Sequence, residues 1–180
     1  MATNRGTGAG GANTNVNGLS FEDKTSTGSD HPLIKTKKYS YHKVSEDIKL
    51  FYKTHFTKFL NFTTGKNIKK ESSIPNIPQP DEVFLNEKNK TVYILEKKNQ
   101  NIEGSVDNKL ALAPYYIWLY ERIFEIIGFN YKVKYAFLLN EETKKLNGPK
   151  SKLLYNEHLG IPVWYESDNY REAILKWVNS

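Results

Sequence analysis

The apolar and polar positions between residues 80 and 100 predict a β-hairpin. Two apolar arms flank a short polar turn in this stretch. With the hairpin centred on that turn, Asp81 lies opposite Glu96, and residues that face each other across a hairpin project from the same side of the sheet. Because side chains alternate along a strand, Lys98 and Gln100 fall on that side as well. The pattern therefore predicts that two carboxylates and an ammonium group converge.

The rest of the chain has the pattern of an α/β protein. Residues 31–42 are typical of an edge strand or an ordered loop. Pro114 lies inside a predicted helix, and it is expected to kink that helix or to divide it in two. Helical spacing predicts helices from Ser45 to just before Gly65, from Val106 to Ile127, from Lys150 to His158 and from Asn169 to Val178, and β-type runs predict strands at Tyr131–Asn140 and Ile161–Tyr165.

The first 30 residues differ in composition from the rest of the chain. They hold six of the 11 glycines, together with many Thr, Asn and Ser residues and few apolar side chains. This composition is typical of a flexible segment. We therefore expect residues 1–30 to form a flexible N-terminal segment and residues 31–180 to form a single domain, since a chain of 180 residues is long enough for one packed core.

The charge balance favours a polyanionic partner. Lys and Arg number 26 against 20 Asp and Glu, which gives a formal net charge of +6. Cysteine is absent, so disulfides and thiolate metal sites are excluded, and an intracellular location is expected. The sequence contains no run of 18 apolar residues and no N-terminal signal core, which favours a soluble, cytoplasmic protein without a membrane partner. It also lacks a P-loop, a dinucleotide glycine fingerprint and zinc-ligand spacing of its four histidines.

The paired carboxylates indicate a metal site. Two carboxylates this close repel each other unless a cation lies between them, and Mg²⁺ is commonly held by one or two carboxylates together with waters and phosphate oxygens. Asp81 and Glu96 are therefore the candidate Mg²⁺ ligands. The ammonium group of Lys98 could orient a water or stabilise charge on a phosphate under attack. Lys97 falls on the opposite face of the strand and is expected to matter far less for such phosphodiester hydrolysis.

The same residues carry a family resemblance. Pro80-Asp81, followed by Glu96-Lys97-Lys98 at the end of an apolar strand, resembles the signature of the PD-(D/E)XK nucleases, and in particular of their small type II restriction endonucleases. The resemblance covers roughly residues 80–180 and implies a restriction-endonuclease-like core, with a central mixed β-sheet flanked by helices. Gln100 resembles a residue that often follows the signature. Glu22 resembles a glutamate that a leading helix brings to the active site in several of these nucleases; alternatively, it is a solvated acid in a linker.

The resemblance implies a function. A Mg²⁺-dependent, sequence-specific endonuclease that hydrolyses phosphodiester bonds of double-stranded DNA is expected, acting as a homodimer because a two-fold protein can cut both strands of a palindromic site. Two alternatives remain open. One is a structure-specific nuclease of the junction-resolving or repair type, which recognises the shape of DNA. The other is a basic DNA-binding module without catalysis.

Candidate DNA contacts lie outside the hairpin. A residue that caps a helix leaves backbone N–H groups free to bind a phosphate, although an ordinary cap is an equal alternative. Basic clusters in loops are further candidates. The residues selected on these grounds are Ser105, Asn108 and Lys109 at the start of the helix that follows the hairpin, Lys69 and Lys70 in the loop that precedes the hairpin, and Lys37 in the basic segment near the N-terminus.

Overall fold

The computed structural model describes residues 19–74, 77–101 and 106–180. Its centre is a seven-stranded mixed sheet whose strands follow one another in chain order. The four neighbouring pairs from β1–β2 to β4–β5 are antiparallel, whereas the β5–β6 and β6–β7 pairs are parallel. The strands are β1 Leu33–Lys35, β2 Ser40–Lys43, β3 Ile48–Tyr52, β4 Glu82–Asn86, β5 Thr91–Lys98, β6 Lys132–Leu139 and β7 Val163–Tyr165.

Helices cover both faces of this sheet. The described chain begins with a short helix, α1, at residues 19–24. A 3-10 turn, Glu141–Lys145, follows β6. The other helices are α2 Thr54–Thr64, α3 Ile68–Glu71, α4 Val106–Leu110, α5 Ala113–Ile127, α6 Lys150–His158 and α7 Tyr170–Val178. The predicted α/β class, with a mixed sheet flanked by helices, is thus confirmed.

Two hydrophobic cores form, one on each face of the sheet. The first lies under α2 and α5, where Val83 and Ile94 pack among the aromatic residues of those helices. The second lies under α1 and α7, where Phe84 and Leu95 contact Phe21 of α1. Every residue of β4 is buried, because both faces of that strand are covered.

The hairpin of β4 and β5 has the predicted register. Glu82 pairs with Leu95 at one end, and Asn86 pairs with Thr91 at the turn. The side chain of Asn86 also closes the turn, since its Oδ1 accepts a hydrogen bond from the backbone N–H of Lys88 at 3.0 Å. The polar turn therefore predicts correctly which residues face each other.

The predicted helix from Ser45 to Gly65 is wrong in its first half. Residues Ile48–Tyr52 form strand β3 instead, and α2 begins only at Thr54. Short apolar runs fit both helical and strand periods, and here pairing with β4 decides the outcome. The predicted end of the helix is confirmed, because Gly65 adopts the left-handed conformation that terminates α2, with φ of 67°.

The predicted helix from Val106 to Ile127 is divided in two, as expected from its proline. Helix α4 ends at Leu110 and α5 begins at Ala113. Pro114 lies in the first turn of α5, where a missing N–H leaves no helical hydrogen bond unmade. Strand β6 and helices α6 and α7 match their predictions closely, and strand β7 is shorter than predicted.

The predicted flexible segment, residues 1–30, includes residues that pack against the domain. Phe21 is buried in the second core, and Thr25 and Thr27 are buried beside it. Residues 19–30 therefore pack against the domain, because α1 supplies apolar surface to the sheet. Residues 1–18 lie outside the described residues. Among the described helices, none has the length and apolar character needed to cross a membrane.

Candidate active site

Asp81, Glu96 and Lys98 converge on the face of the sheet that α5 covers. Asp81 directly precedes β4, and the other two residues lie at the end of β5. The Lys98 Nζ atom lies 2.5 Å from Glu96 Oε1 and 3.7 Å from Asp81 Oδ2. Asp81 Oδ2 also accepts a hydrogen bond from the backbone N–H of Lys97 at 2.8 Å. The structure therefore brings together the three residues that the sequence placed in one cluster.

Burial sets the protonation behaviour of this cluster. It raises the pKa of the Asp81 carboxyl, and the nearby charge of Glu96 raises it further. Burial acts to lower the pKa of Lys98, but Glu96 and Asp81 together outweigh it, so the pKa of Lys98 lies above its usual value. Lys98 is therefore a cation at neutral pH. It can donate hydrogen bonds and stabilise negative charge, but it has no free electron pair with which to act as a base.

Tyrosines of the first core form one wall of the site. Burial, and then the charge of Glu96, raise the pKa of Tyr116, Tyr120 and Tyr135. Tyr116 and Tyr135 stack with ring centroids 5.9 Å apart. Glu96 thus lies beside low-dielectric aromatic surface, where an ionised carboxylate interacts more strongly with a nearby cation than it would in water.

The donor set of the cluster suits a hard divalent cation. Asp81 and Glu96 supply carboxylate oxygens, and the side chains of both are only partly buried, with 12% and 21% of their surface exposed. Burial and the charge of Glu96 raise the pKa of Asp81, and a positive charge near this carboxyl would act in the opposite direction. The described residues contain no group of three or more His, Cys, Asp and Glu residues that could hold a metal ion. Two carboxylates with waters and substrate oxygens match the coordination habits of Mg²⁺.

Glu22 lies at the same end of the sheet. Its Oε2 atom is 2.7 Å from the Nζ atom of Lys53, the residue between β3 and α2. The charge of Glu22 contributes to the raised pKa of Lys98, so the two residues are electrostatically linked. The structure thus brings the α1 carboxylate near the cluster but pairs it with Lys53. Because the segment around Lys53 was predicted as continuous helix, the sequence did not predict this ion pair with Glu22.

A buried ion pair lies on the opposite face of the hairpin. Lys97 Nζ is 2.6 Å from Glu82 Oε1, and each side chain has only 1% of its surface exposed. Lys97 Nζ also donates to the backbone carbonyl of Thr25 at 2.9 Å. Glu82 accepts two hydrogen bonds from Thr27, one from its backbone N–H and one from its hydroxyl. The alternation of the strand predicted the face on which Lys97 lies, but not its structural importance.

Gln100 lies beyond the end of β5, where it links the loop after β5 to the loop after β6. It is buried, and its backbone N–H donates to Asn140 Oδ1 at 2.8 Å. Asn140 follows β6, and its Oδ1 also accepts a hydrogen bond from the hydroxyl of Thr143. Gln100 is therefore anchored at the carboxyl-terminal edge of the parallel strands. Ligands of open α/β sheets commonly bind at this edge.

The candidate DNA contacts lie on separate elements. Lys37 is exposed in the turn between β1 and β2, Lys69 and Lys70 are exposed on α3, and Asn108 and Lys109 are exposed on α4. Helix α3 is capped by Asn67, whose side chain accepts a hydrogen bond from the backbone N–H of Lys70. The proposed cap Ser105 lies outside the described residues.

A wide apolar groove lies away from the carboxylates. It has a volume of about 740 Å³ and runs between α6 and β7, with Leu153, Ile161 and Val163 in its walls. Asp81, Glu96 and Lys98 are not among its lining residues. The candidate chemistry is thus separate from this groove.

Comparisons with protein-family models, with curated proteins and with solved structures found no match to this chain. The candidate site therefore rests on its own geometry and on the resemblance of its residue pattern to the nuclease signature.

Proposed function

We propose that this protein is a Mg²⁺-dependent endonuclease of the PD-(D/E)XK type that hydrolyses double-stranded DNA at specific sites, as a type II restriction enzyme does. The observation that carries the proposal is the convergence of Asp81, Glu96 and Lys98 on one face of the hairpin. The net charge of +6 favours a polyanionic substrate. A cytoplasmic homodimer is part of the proposal, because a two-fold assembly matches a palindromic site.

The roles of the residues follow from their charges. Asp81 and Glu96 would hold Mg²⁺, which when bound supplies positive charge to the scissile phosphate and lowers the pKa of a coordinated water. Lys98 stays protonated between the carboxylates, as the raised pKa indicates. Its ammonium group would stabilise the charge that grows on the phosphate oxygens during attack. Tyr116 lies close enough to Glu96 for the charge of this carboxylate to raise the pKa of the tyrosine, after the larger effect of burial.

Plasmid cleavage tests the proposal. Supercoiled plasmid is incubated with the protein and Mg²⁺, with EDTA as the control. Discrete bands support site-specific cleavage, whereas nicking or smears support a structure-specific nuclease. Unchanged DNA under all buffer conditions, together with binding in a gel-shift assay, supports a non-catalytic module and contradicts the proposal.

Carboxylate variants identify the site. Asp81→Ala and Glu96→Ala are each expected to abolish cleavage and to leave DNA binding largely intact, because these residues hold metal and not phosphate. Glu121→Ala, which removes an exposed carboxylate from α5, is the matched control and should cleave normally. Cleavage by either site variant at the parent rate would contradict the assignment.

A lysine variant separates electrostatic stabilisation from metal binding. Lys98→Ala is expected to lower the cleavage rate on the order of 10²-fold or more, as for loss of a group that acts mainly in the transition state. The Mg²⁺ concentration for half-maximal rate should change little. Lys132→Ala, at an exposed position of β6, is the control. An unchanged rate for Lys98→Ala would leave Lys98 with a structural role.

A further inference from the structure

Lys53 lies at the same end of the sheet as the candidate catalytic carboxylates. In the sheet, Tyr52 of β3 pairs with Glu82 of β4, and Glu82 pairs with Leu95 of β5. Lys53 directly follows Tyr52 and Asp81 directly precedes Glu82, so both residues lie at the same end of these paired strands. The charge of Asp81 also acts on Lys53, which indicates that the lysine lies near a candidate metal ligand.

Lys53 adopts a backbone conformation that suits glycine. Its φ of 44° and ψ of −120° resemble the first central position of a type II′ turn, where a side chain is strained. A non-glycine residue held in such a conformation is destabilised, and residues of this kind cluster at functional sites. Glycine would adopt this conformation at the turn from β3 into α2 without strain. Because lysine occupies the position instead, we infer that its side chain has a role.

The side chain of Lys53 is more accessible to solvent than that of Lys98. Its ammonium group lies 2.7 Å from Glu22 Oε2, and 49% of the Lys53 side chain is exposed. The hydrogen bond with Glu22 raises the pKa of Lys53, and the charge of Asp81 adds to the effect. By contrast, only 13% of the Lys98 side chain is exposed. Lys98 is thus enclosed with the carboxylates, whereas Lys53 is a second cation, influenced by the charge of Asp81, that a ligand can reach from solvent.

We propose that Lys53 is a phosphate-binding residue of this site, which contacts a DNA phosphate beside the scissile one while Glu22 orients its ammonium group. The proposal rests on the proposed nuclease function. An ammonium group is a compact charge that suits a phosphate oxygen. The competing explanation is that the ion pair only fastens α1 to the turn, and the two explanations differ in what they predict for stability and for DNA binding.

Two variants separate these explanations. Lys53→Gly removes the ammonium group and relieves the backbone conformation, so the Tm should be no lower than that of the parent. Lys53→Met removes the charge and keeps the backbone restriction. Lys49→Met is the matched control, because Lys49 forms an ion pair of the same length, 2.7 Å, with Glu87 at the turn end of the sheet.

DNA binding is measured in EDTA by fluorescence anisotropy at several salt concentrations, so that the readout does not depend on cleavage. Both Lys53 variants should bind about tenfold more weakly than the parent, as expected for one charge-assisted hydrogen bond. The salt dependence should also become shallower, by about 0.9 in the slope of log K against log salt for each phosphate that the protein no longer neutralises. Lys49→Met should retain the parent slope.

The outcomes distinguish the proposal from the function on which it rests. If the parent protein cleaves DNA and both Lys53 variants keep the parent affinity and slope, Lys53 does not bind phosphate. A lower Tm in Lys53→Gly with unchanged DNA binding would assign the ion pair to fastening α1. If the parent binds DNA but never cleaves it, the nuclease function fails, whereas a weaker, less salt-dependent Lys53 variant would still identify a phosphate contact.

Discussion

Removal of the Lys97 ammonium group should lower the stability of the fold, and it should not act directly on the candidate active site. The side chains of Lys97 and Glu82 each have 1% of their surface exposed, and their charged atoms lie 2.6 Å apart. Lys97→Met keeps much of the side-chain volume but leaves the Glu82 carboxylate buried without its cation. The carbonyl of Thr25 also loses a hydrogen bond of 2.9 Å.

The size of the effect follows from the cost of a buried, unpaired charge. Breaking a buried ion pair by removing one partner costs about 3–5 kcal/mol. For a chain of this length, each kcal/mol shifts the Tm by about 2–4 °C, so Lys97→Met should lower the Tm by roughly 6–20 °C. The two hydrogen bonds that Thr27 donates to Glu82 reduce the penalty only in part, since neither supplies a positive charge.

Urea unfolding monitored by tryptophan fluorescence measures this loss, and a double variant tests its cause. Glu82→Gln in the Lys97→Met background removes the unpaired charge while an amide oxygen can still accept from Thr27. The double variant should therefore be more stable than the sum of the two single changes predicts, by about 1–3 kcal/mol. Lys132→Met, at an exposed position of β6, is the control and should change stability by no more than about 0.5 kcal/mol.

A Lys97→Met protein as stable as the parent would refute this reasoning, because it would mean that Glu82 does not need its partner. Strict additivity in the double variant would show that the two residues act independently. The same measurement matters for the choice of controls in cleavage assays. The Lys97 side chain lies on the face opposite the cluster, but a variant at this position cannot serve as a neutral control when it is partly unfolded at the assay temperature.

Three further predictions concern residues around the site. Asp81→Asn should raise the Tm in EDTA, because burial and the charge of Glu96 disfavour the ionised Asp81 carboxyl; a fall in Tm would contradict the repulsion inferred from its raised pKa. Glu22→Gln should raise the Mg²⁺ concentration for half-maximal cleavage, because it removes a negative charge that acts on the cluster, whereas deletion of residues 2–12 should not; normal cleavage at limiting Mg²⁺ would show that this charge does not assist metal binding. Gly28→Ala should lower the unfolding free energy by about 1–3 kcal/mol, because a Cβ there would overlap the Tyr52 hydroxyl; an unchanged urea midpoint would show that Tyr52 can move aside.

The hairpin could be predicted from the sequence because its information is local. Its turn is closed by a side chain within the turn, as the hydrogen bond from the Lys88 N–H to Asn86 shows. The register then follows from the turn, and the register places Asp81 opposite Glu96. The division of the long helix was also predictable, because Pro114 fits only the first turn of a helix.

Strand β3 could not be predicted because its information is distant. The segment Ile48–Tyr52 gains its strand conformation from pairing with β4, which lies some thirty residues further along the chain. Its apolar residues fit a helical stripe equally well when that partner is unknown. The unusual φ of Lys53 is a consequence of the same pairing, since the chain must turn sharply from β3 into α2. Neither feature leaves a signal in the nearby sequence.

The two faces of the hairpin indicate which of its charged clusters is suited to chemistry. On one face, Glu82 and Lys97 neutralise each other, Lys97 donates to the Thr25 carbonyl and Thr27 donates to Glu82, so these charges are already satisfied without a bound ion. On the other face, Lys98 serves both Asp81 and Glu96, which leaves two carboxylates for one ammonium group and a raised pKa at Asp81. Of these two clusters, the second has negative charge left to attract a divalent cation. Strand alternation thus gives adjacent residues different tasks: the buried pair holds the segment after α1 against the sheet, and the more exposed cluster is the one on which the proposed metal and phosphate chemistry depends.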